Sequence, residues 1–393
     1  MALLRSALSK SIASVVVTSL ILTLTSWAGT TSNADLPANS NNQGESSTFG
    51  GMKYQAAWRA SLGGESSSNL TDDESVVRAR LTTKFNLQLS PGFIALADIS
   101  LVTSQGRQQA QFGNTSYNNG FNIDQAYIQY RPISAVDLLA GAISTGRVES
   151  PLLLGSNPFP GLVERVSINL GAGVYTLEAM QAIPTSSSIN SERQEKEERP
   201  ILTIQKAKAV WQGVRGLQLI GSVGQFSYRN LPSKVAYNSM YKGNSVIGTQ
   251  SADSQFAFEF NGYIVGGELL LTKAWLGSWN VGWQRVENLE APVGYGRGER
   301  IYSSLNIPWR SNVLTPSVEL FFNESDSSVA AYNSALYGNN NSRGYLIGFE
   351  YLVGGYDYRI KTLYRRSEPI EADGINSPED SISINLETSY APF

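Results

Sequence analysis

The sequence predicts an all-β fold, a transmembrane antiparallel β-barrel of about 16 strands with 18 as the alternative count, and three observations predict it. From Gly50 onward, apolar and polar residues alternate with period 2 in runs long enough to cross a bilayer. The connections between those runs alternate between short turns and long polar loops. Aromatic residues gather at the strand ends beside the short turns, where lipid would meet water.

Met1 to Ala28 reads as a signal peptide: Arg5 and Lys10 lead an apolar run, Ile12 to Leu24, that ends at the small-x-small site Ser26-Trp27-Ala28. The run falls short of the ~20 residues a spanning helix needs. Residues 29–49 are polar and aperiodic and read as a flexible periplasmic segment, which leaves 50–393 for the barrel.

Charged residues make up 16% of the chain, below the roughly 25% of soluble domains, while 36 Gly, 19 Tyr, 14 Phe and 7 Trp are present. Such a surface suits lipid. The chain has no Cys and no His. Disulfides, thiolate chemistry, the commonest general base and the commonest transition-metal ligand are therefore absent. No Ser-Asp/Glu constellation replaces them, so no enzyme, cofactor or metal centre is expected. A net charge of -3 argues against a nucleic-acid partner.

The first strand, near 52–62, sets Met52, Tyr54, Ala56, Trp58 and Leu62 against Lys53, Gln55, Arg59 and Ser61. Strands near 74–88 and 93–103 form the clearest hairpin. There Val77, Leu81 and Phe85 alternate with Arg78, Arg80 and Lys84, and Ser90-Pro91-Gly92 turns tightly into Phe93. Further strands fall near 121–131, 136–145, 161–170, 173–182, 199–211, 216–229, 256–274, 278–288, 298–308, 313–323, 343–353, 356–367 and 381–391. Long loops lie near 63–73, 104–120, 146–160, 184–198, 230–255, 289–297, 324–342 and 368–380. Bacterial barrels place short turns in the periplasm and long loops outside. One stretch breaks the pattern: Phe256, Phe258 and Phe260 have even parity, but Val265, Leu269 and Leu271 have odd parity. A bulge at Gly262 or Gly266-Gly267 would reconcile them, and a hidden turn would give 18 strands.

The expected periplasmic girdle is Tyr54, Phe85, Phe93, Tyr130, Trp211, Trp275, Trp279, Trp309, Tyr351, Tyr356 and Tyr390. The last strand sets Ile382, Ile384 and Leu386 against Ser383, Asn385 and Glu387, and the chain stops on Phe393. That ending resembles the C-terminal signal of bacterial outer-membrane barrels. Strict alternation turns Phe393 inward, so joining the girdle requires a kink at Ala391-Pro392.

Ala126-Tyr127-Ile128-Gln129-Tyr130-Arg131-Pro132, then Leu139-Ala140-Gly141 and Ser156-Asn157-Pro158-Phe159, resembles the porins of Gram-negative outer membranes. The resemblance implies passive diffusion of small hydrophilic solutes through a water-filled lumen, usually in a homotrimer. It implies outer-membrane lipid and lipopolysaccharide as surroundings. In porins the loop between strands five and six folds into the channel. Here that loop is Gly146 to Gly161, with Arg147, Glu149, Asn157, Pro158 and Phe159 as constriction residues. Its Pro151-Leu152-Leu153-Leu154 is apolar for an exposed loop and calls for a wall to pack against.

Strand parity turns Arg59, Arg78, Arg80, Lys84, Arg359, Lys361 and Arg365 inward as a basic wall interrupted by Asp357 and Glu387. Inward Glu259, Glu268, Glu319 and Glu350 would face it, polarising the lumen toward a mild anion preference. A substrate-selective channel for anions, sugars or carboxylates, and a non-conducting adhesin or structural barrel, are the alternative functions of such a fold.

Overall fold

The computed structural model describes residues 47–49, 52–69, 73–109, 119–184, 197–213, 216–273, 277–337, 339–354, 358–372 and 377–392. Period-2 patterning gives each strand an apolar and a polar face, and closing the sheet leaves no unpaired edge in lipid. The strands are β1 (Met52–Ser68), β2 (Asp73–Ser90), β3 (Phe93–Gln109), β4 (Gly120–Ile133), β5 (Val136–Ser144), β6 (Pro158–Leu170), β7 (Gly173–Ala182) and β8 (Ile201–Gln212). They continue as β9 (Leu217–Arg229), β10 (Asn261–Lys273), β11 (Gly277–Asn288), β12 (Arg297–Trp309), β13 (Asn312–Asn323), β14 (Ser342–Val353), β15 (Tyr358–Pro369) and β16 (Glu379–Thr388). Each pairs antiparallel with its neighbours, and β16 pairs with β1 from Asp380↔Ser68 to Glu387↔Ser61, so the sheet is a closed 16-strand barrel.

The parity conflict before β10 has a simple cause. The strand begins at Asn261, not at residue 256, and no hidden turn adds strands. Residues 230–260 instead form a lobe holding helix α1 (Ser233–Met240) and a small hairpin that pairs Val246–Ile247 with Gln255–Phe256. Glu259, expected on the wall, therefore sits exposed in that lobe, its carbonyl accepting from Asn288 at 2.8 Å. The expected loop at 63–73 is mostly strand, since β1 runs to Ser68 and β2 starts at Asp73. Pro158 and Phe159 belong to β6 rather than to the preceding loop. Ser47–Phe49 pairs with β1 in place of ending a flexible tail.

Leu81, Phe85, Leu177, Ile301 and Ile347 are exposed on the outer face. Tyr54, Phe85, Phe93, Tyr130, Trp211, Trp279 and Trp309 are exposed at the short-turn end, where Phe93 stacks on Tyr130 at 4.3 Å. Trp275, Tyr356, Asp357 and Phe393 lie outside the described residues.

Tyr390 departs from the expected girdle. The β16–β1 register passes from Glu387↔Ser61 to Ala391↔Trp58, a one-residue bulge. Thr388 fills it: its hydroxyl accepts from the Ala60 N–H at 3.0 Å and donates to the Ala60 carbonyl at 3.3 Å. The bulge reverses facing, so the Tyr390 ring lies over the inward Arg59 and Lys84, at 4.8 and 5.9 Å. The kink thus precedes Ala391.

Candidate functional site

The buried apolar cluster lies inside the barrel, where two loops meet the inner wall. The first loop follows β5. Its base is clipped by Thr145, whose hydroxyl donates to the carbonyls of Gly155 at 2.6 Å and Asn157 at 2.8 Å. A 3-10 turn at Thr145–Val148 leads to Glu149, which takes a left-handed conformation (φ 58°). Leu152, Leu153 and Leu154 are at most 1% exposed, packed in one cluster with Leu139, Ile143, Phe159, Met180, Leu202 and Phe226. The apolar run singled out in the sequence therefore does have a wall.

The second loop, 324–341, reads in the sequence as an ordinary polar connection. Its Val329, Tyr332 and Tyr337 are nevertheless buried in the same cluster, and its backbone is tied to the first loop. The Gly155 N–H donates to the Tyr332 carbonyl at 2.7 Å, the Ser334 N–H to the Pro151 carbonyl at 3.0 Å, and the Ser328 hydroxyl to the Leu152 carbonyl at 2.7 Å. Gly155 allows this close approach, since a Cβ there would sit 3.1 Å from the Asn333 carbonyl and push the second loop back by a few tenths of an ångström.

Charge fixes the rim of the first loop. Lys206 and Lys208 on β8 both pair with Glu149, each at 2.8 Å or less, and Lys206 also donates to the Val148 carbonyl. Burial alone would raise the Glu149 carboxyl, but the two lysines outweigh it and hold it below the usual carboxylate range. A depressed folded value means the stabilisation is fully present above the usual range and is lost as pH falls through the lowered one. The amides of Val148 to Ser150 and Leu152 to Gly155 are therefore expected to exchange faster as pH falls below the usual carboxylate range. Hydrogen exchange corrected for intrinsic rates checks this, and a flat profile would contradict it.

Behind the loop, Arg300 on β12 is buried against Glu319 at 3.2 Å, the Tyr337 hydroxyl at 2.9 Å and the Gln284 amide oxygen at 3.1 Å. Glu268 accepts from the Tyr302 hydroxyl at 2.8 Å. The recess bounded by Glu149, Lys208, Glu268, Gln284 and Tyr302 measures about 50 Å³, room for a few waters. This half of the lumen is filled.

The other half, on β14–β16 and β1–β4, is lined by polar side chains in partial contact with solvent. Arg59 pairs with Glu387, Lys361 with Glu387 at 3.4 Å and Glu350 at 3.9 Å, and Arg359 with Glu350 at 3.2 Å. Arg365 pairs with Glu379, and Arg80 with Asp124. Arg78, Lys84 and Arg147 make no ion pair among the described residues, though Arg147 donates to the Tyr127 hydroxyl at 3.2 Å. Asn157 is exposed at the foot of the loop.

No protein-family model matches the chain, and no curated protein does. Solved structures do. The high-pH structure of Pseudomonas putida OprB is 13% identical, covers 86% of this chain and 94% of its own, and aligns with a TM-score of 0.53. Acinetobacter baumannii OccAB1 is 11% identical over 90% of this chain and 99% of its own, with a TM-score of 0.50. The fold is that of a porin. At such identities the likeness carries the fold alone.

Within this porin fold the expected wall charges are arranged differently from the sequence expectation. Glu350 stands among the cations rather than opposite them, because β14 flanks β15, and it joins Glu387, which interrupts the basic wall as expected. Across the lumen, Glu268 and Glu319 share their wall with Lys206, Lys208 and Arg300, so that side is not purely acidic. Those three cations, with Asp98, Asp124 and Glu379, are lumen residues absent from the sequence expectation. The even parity of Leu202, Ile204, Lys206 and Lys208 was visible, whereas Asp124 faces inward only because of a bulge opposite Asp98/Ile99.

Proposed function

We propose that the chain is an outer-membrane porin that lets small hydrophilic solutes and ions diffuse passively through its lumen. The observation that carries this reading is the division of the lumen: one half packed with loops, the other walled by hydrated charge. Solutes pass between the first loop and the wall of β15, β16, β1 and β2. Residues 1–28 act as the export signal, the short turns face the periplasm, and the working unit is a homotrimer, as in the porins the sequence resembles.

Ion preference is weak in this account, since most cations on the open wall hold a carboxylate. The excess is small: Arg78, Lys84 and Arg147 are offset in part by Asp98 opposite Lys84 and by Glu74 beside Arg78, which leaves a slight preference for anions. A salt-gradient reversal potential slightly on the anion side is expected, and Arg78→Glu with Lys84→Glu is expected to move it to the cation side. A wild-type pore that clearly prefers cations, or a double variant with unchanged sign, would contradict the assignment. Crosslinking of the purified protein tests the trimer.

A further inference from the structure

The packed half of the lumen has a third layer besides its two loops. The lobe that carries α1 sends Val235 and Phe260 into the same buried cluster, with Leu231 and Phe256 packed against it. Lobe and second loop are joined by side-chain amides. Asn244 of the lobe, buried, donates to the carbonyls of Ser325 at 2.6 Å and Ser328 at 2.9 Å, and its amide oxygen accepts from the Ala330 N–H at 2.8 Å. Asn340, buried in the second loop, donates to the same two carbonyls, each at 2.8 Å, while its own N–H reaches the Lys242 carbonyl at 2.8 Å. Two further bonds cross the junction. The Ser245 N–H donates to the Asp326 carboxylate at 3.0 Å, and the Ala331 N–H donates to the Ser239 hydroxyl on α1 at 3.2 Å. Gly243, at φ 90°, lets the lobe backbone lie against Asn340, where a Cβ would overlap the Asn340 carbonyl.

The described residues of the second loop hold no strand, so these amides stand in for the backbone pairing that the loop lacks. Ser328 is where the three layers meet. Its carbonyl is held by Asn244 and Asn340, and its hydroxyl donates to the Leu152 carbonyl of the first loop at 2.7 Å. A displacement of the lobe therefore passes, through one buried serine, to the leucine run that fills the lumen. The lobe also reaches solvent, since Ile247 on its hairpin is exposed.

Resting on the pore reading, we propose that Asn244 and Asn340 are positioning residues for the passage of solutes: they fix the lobe on the second loop and, through Ser328, fix how far the first loop stands into the lumen. Pore width is then set by where the lobe sits. Drawing the lobe away widens the passage.

Single-channel recording of the folded full-length protein tests this coupling. Asn244→Asp and Asn340→Asp keep the size of the side chain but turn its amide donor into an oxygen that faces the Ser325 and Ser328 carbonyls. Each is expected to shift the conductance above wild type and to add open-channel noise. Ile247→Ala, at the exposed tip, is expected to conduct as wild type. Because the chain has no Cys, Ser239→Cys with Ala331→Cys allows a single disulfide between α1 and the second loop. Formed by a mild oxidant in the Asn244→Asp background, it is expected to return the conductance to the wild-type level, and a reductant is expected to raise it again. A general loss of stability does not produce that cycle. Asp variants that fold, as read from the mobility shift on boiling, and conduct at or below the wild-type level would overturn the proposal. So would a crosslink that forms, as read by thiol labelling, and leaves the conductance of the Asn244→Asp background unchanged. A wild type that is itself silent overturns instead the pore reading on which the coupling rests.

Discussion

Leu153→Asp is expected to release the first loop from the inner wall and to raise single-channel conductance, with added noise from a loop no longer fixed. Leu153 is fully buried between the β5–β9 wall and the second loop, in a cluster of apolar and aromatic side chains that holds no cation. Burying an unpaired charge costs more than leaving the loop undocked, so the loop moves. Leu153→Ala should act in the same direction more weakly, since removing a buried leucine side chain costs about 2–5 kcal/mol. Leu177→Ala, on the outer face, should leave conductance unchanged. Folding is read in parallel from the mobility shift between unheated and boiled samples. A Leu153→Asp variant that folds and conducts like wild type would remove the loop from its constricting role.

The second large effect is expected at Glu319. Glu319→Ala leaves Arg300 buried with its Tyr337 and Gln284 partners but without its counter-charge. Stranding a buried charge in this way costs about 3–5 kcal/mol. Removing both members, as Glu319→Ala with Arg300→Met, should recover much of the loss, because a well-packed apolar pair is often as stable as a buried ion pair. Urea titration of the unheated, folded band measures both. A double variant as unstable as the single one would show that the stability lies elsewhere in the cluster.

Strand number and closure were legible because period 2, turn chemistry and loop alternation are local signals that a barrel enforces over its whole length. Inward Arg59, Lys361 and Glu387 follow from parity alone. Parity fails wherever a residue is inserted, and a bulge costs the sequence nothing visible. The register slip at Thr388–Tyr390 turned an expected girdle aromatic into a lumen residue, and the bulge at Asp124 hid the partner of Arg80. Glu259 was misplaced because Phe256, Phe258 and Phe260 imitate a strand while serving the lobe before β10. The role of 324–341 was illegible for a different reason. Its Val329, Tyr332 and Tyr337 sit singly in a stretch rich in Ser and Asn, and only the folded barrel supplies the surface they pack on. The leucine run of the first loop was conspicuous because three consecutive leucines have no place in a solvated loop.

Planar-bilayer recording of the purified, refolded full-length protein tests the central claim most directly. Stepwise, long-lived conductance increments that scale with bulk salt concentration are the expected result. A protein that inserts, shifts on boiling and stays electrically silent would contradict it.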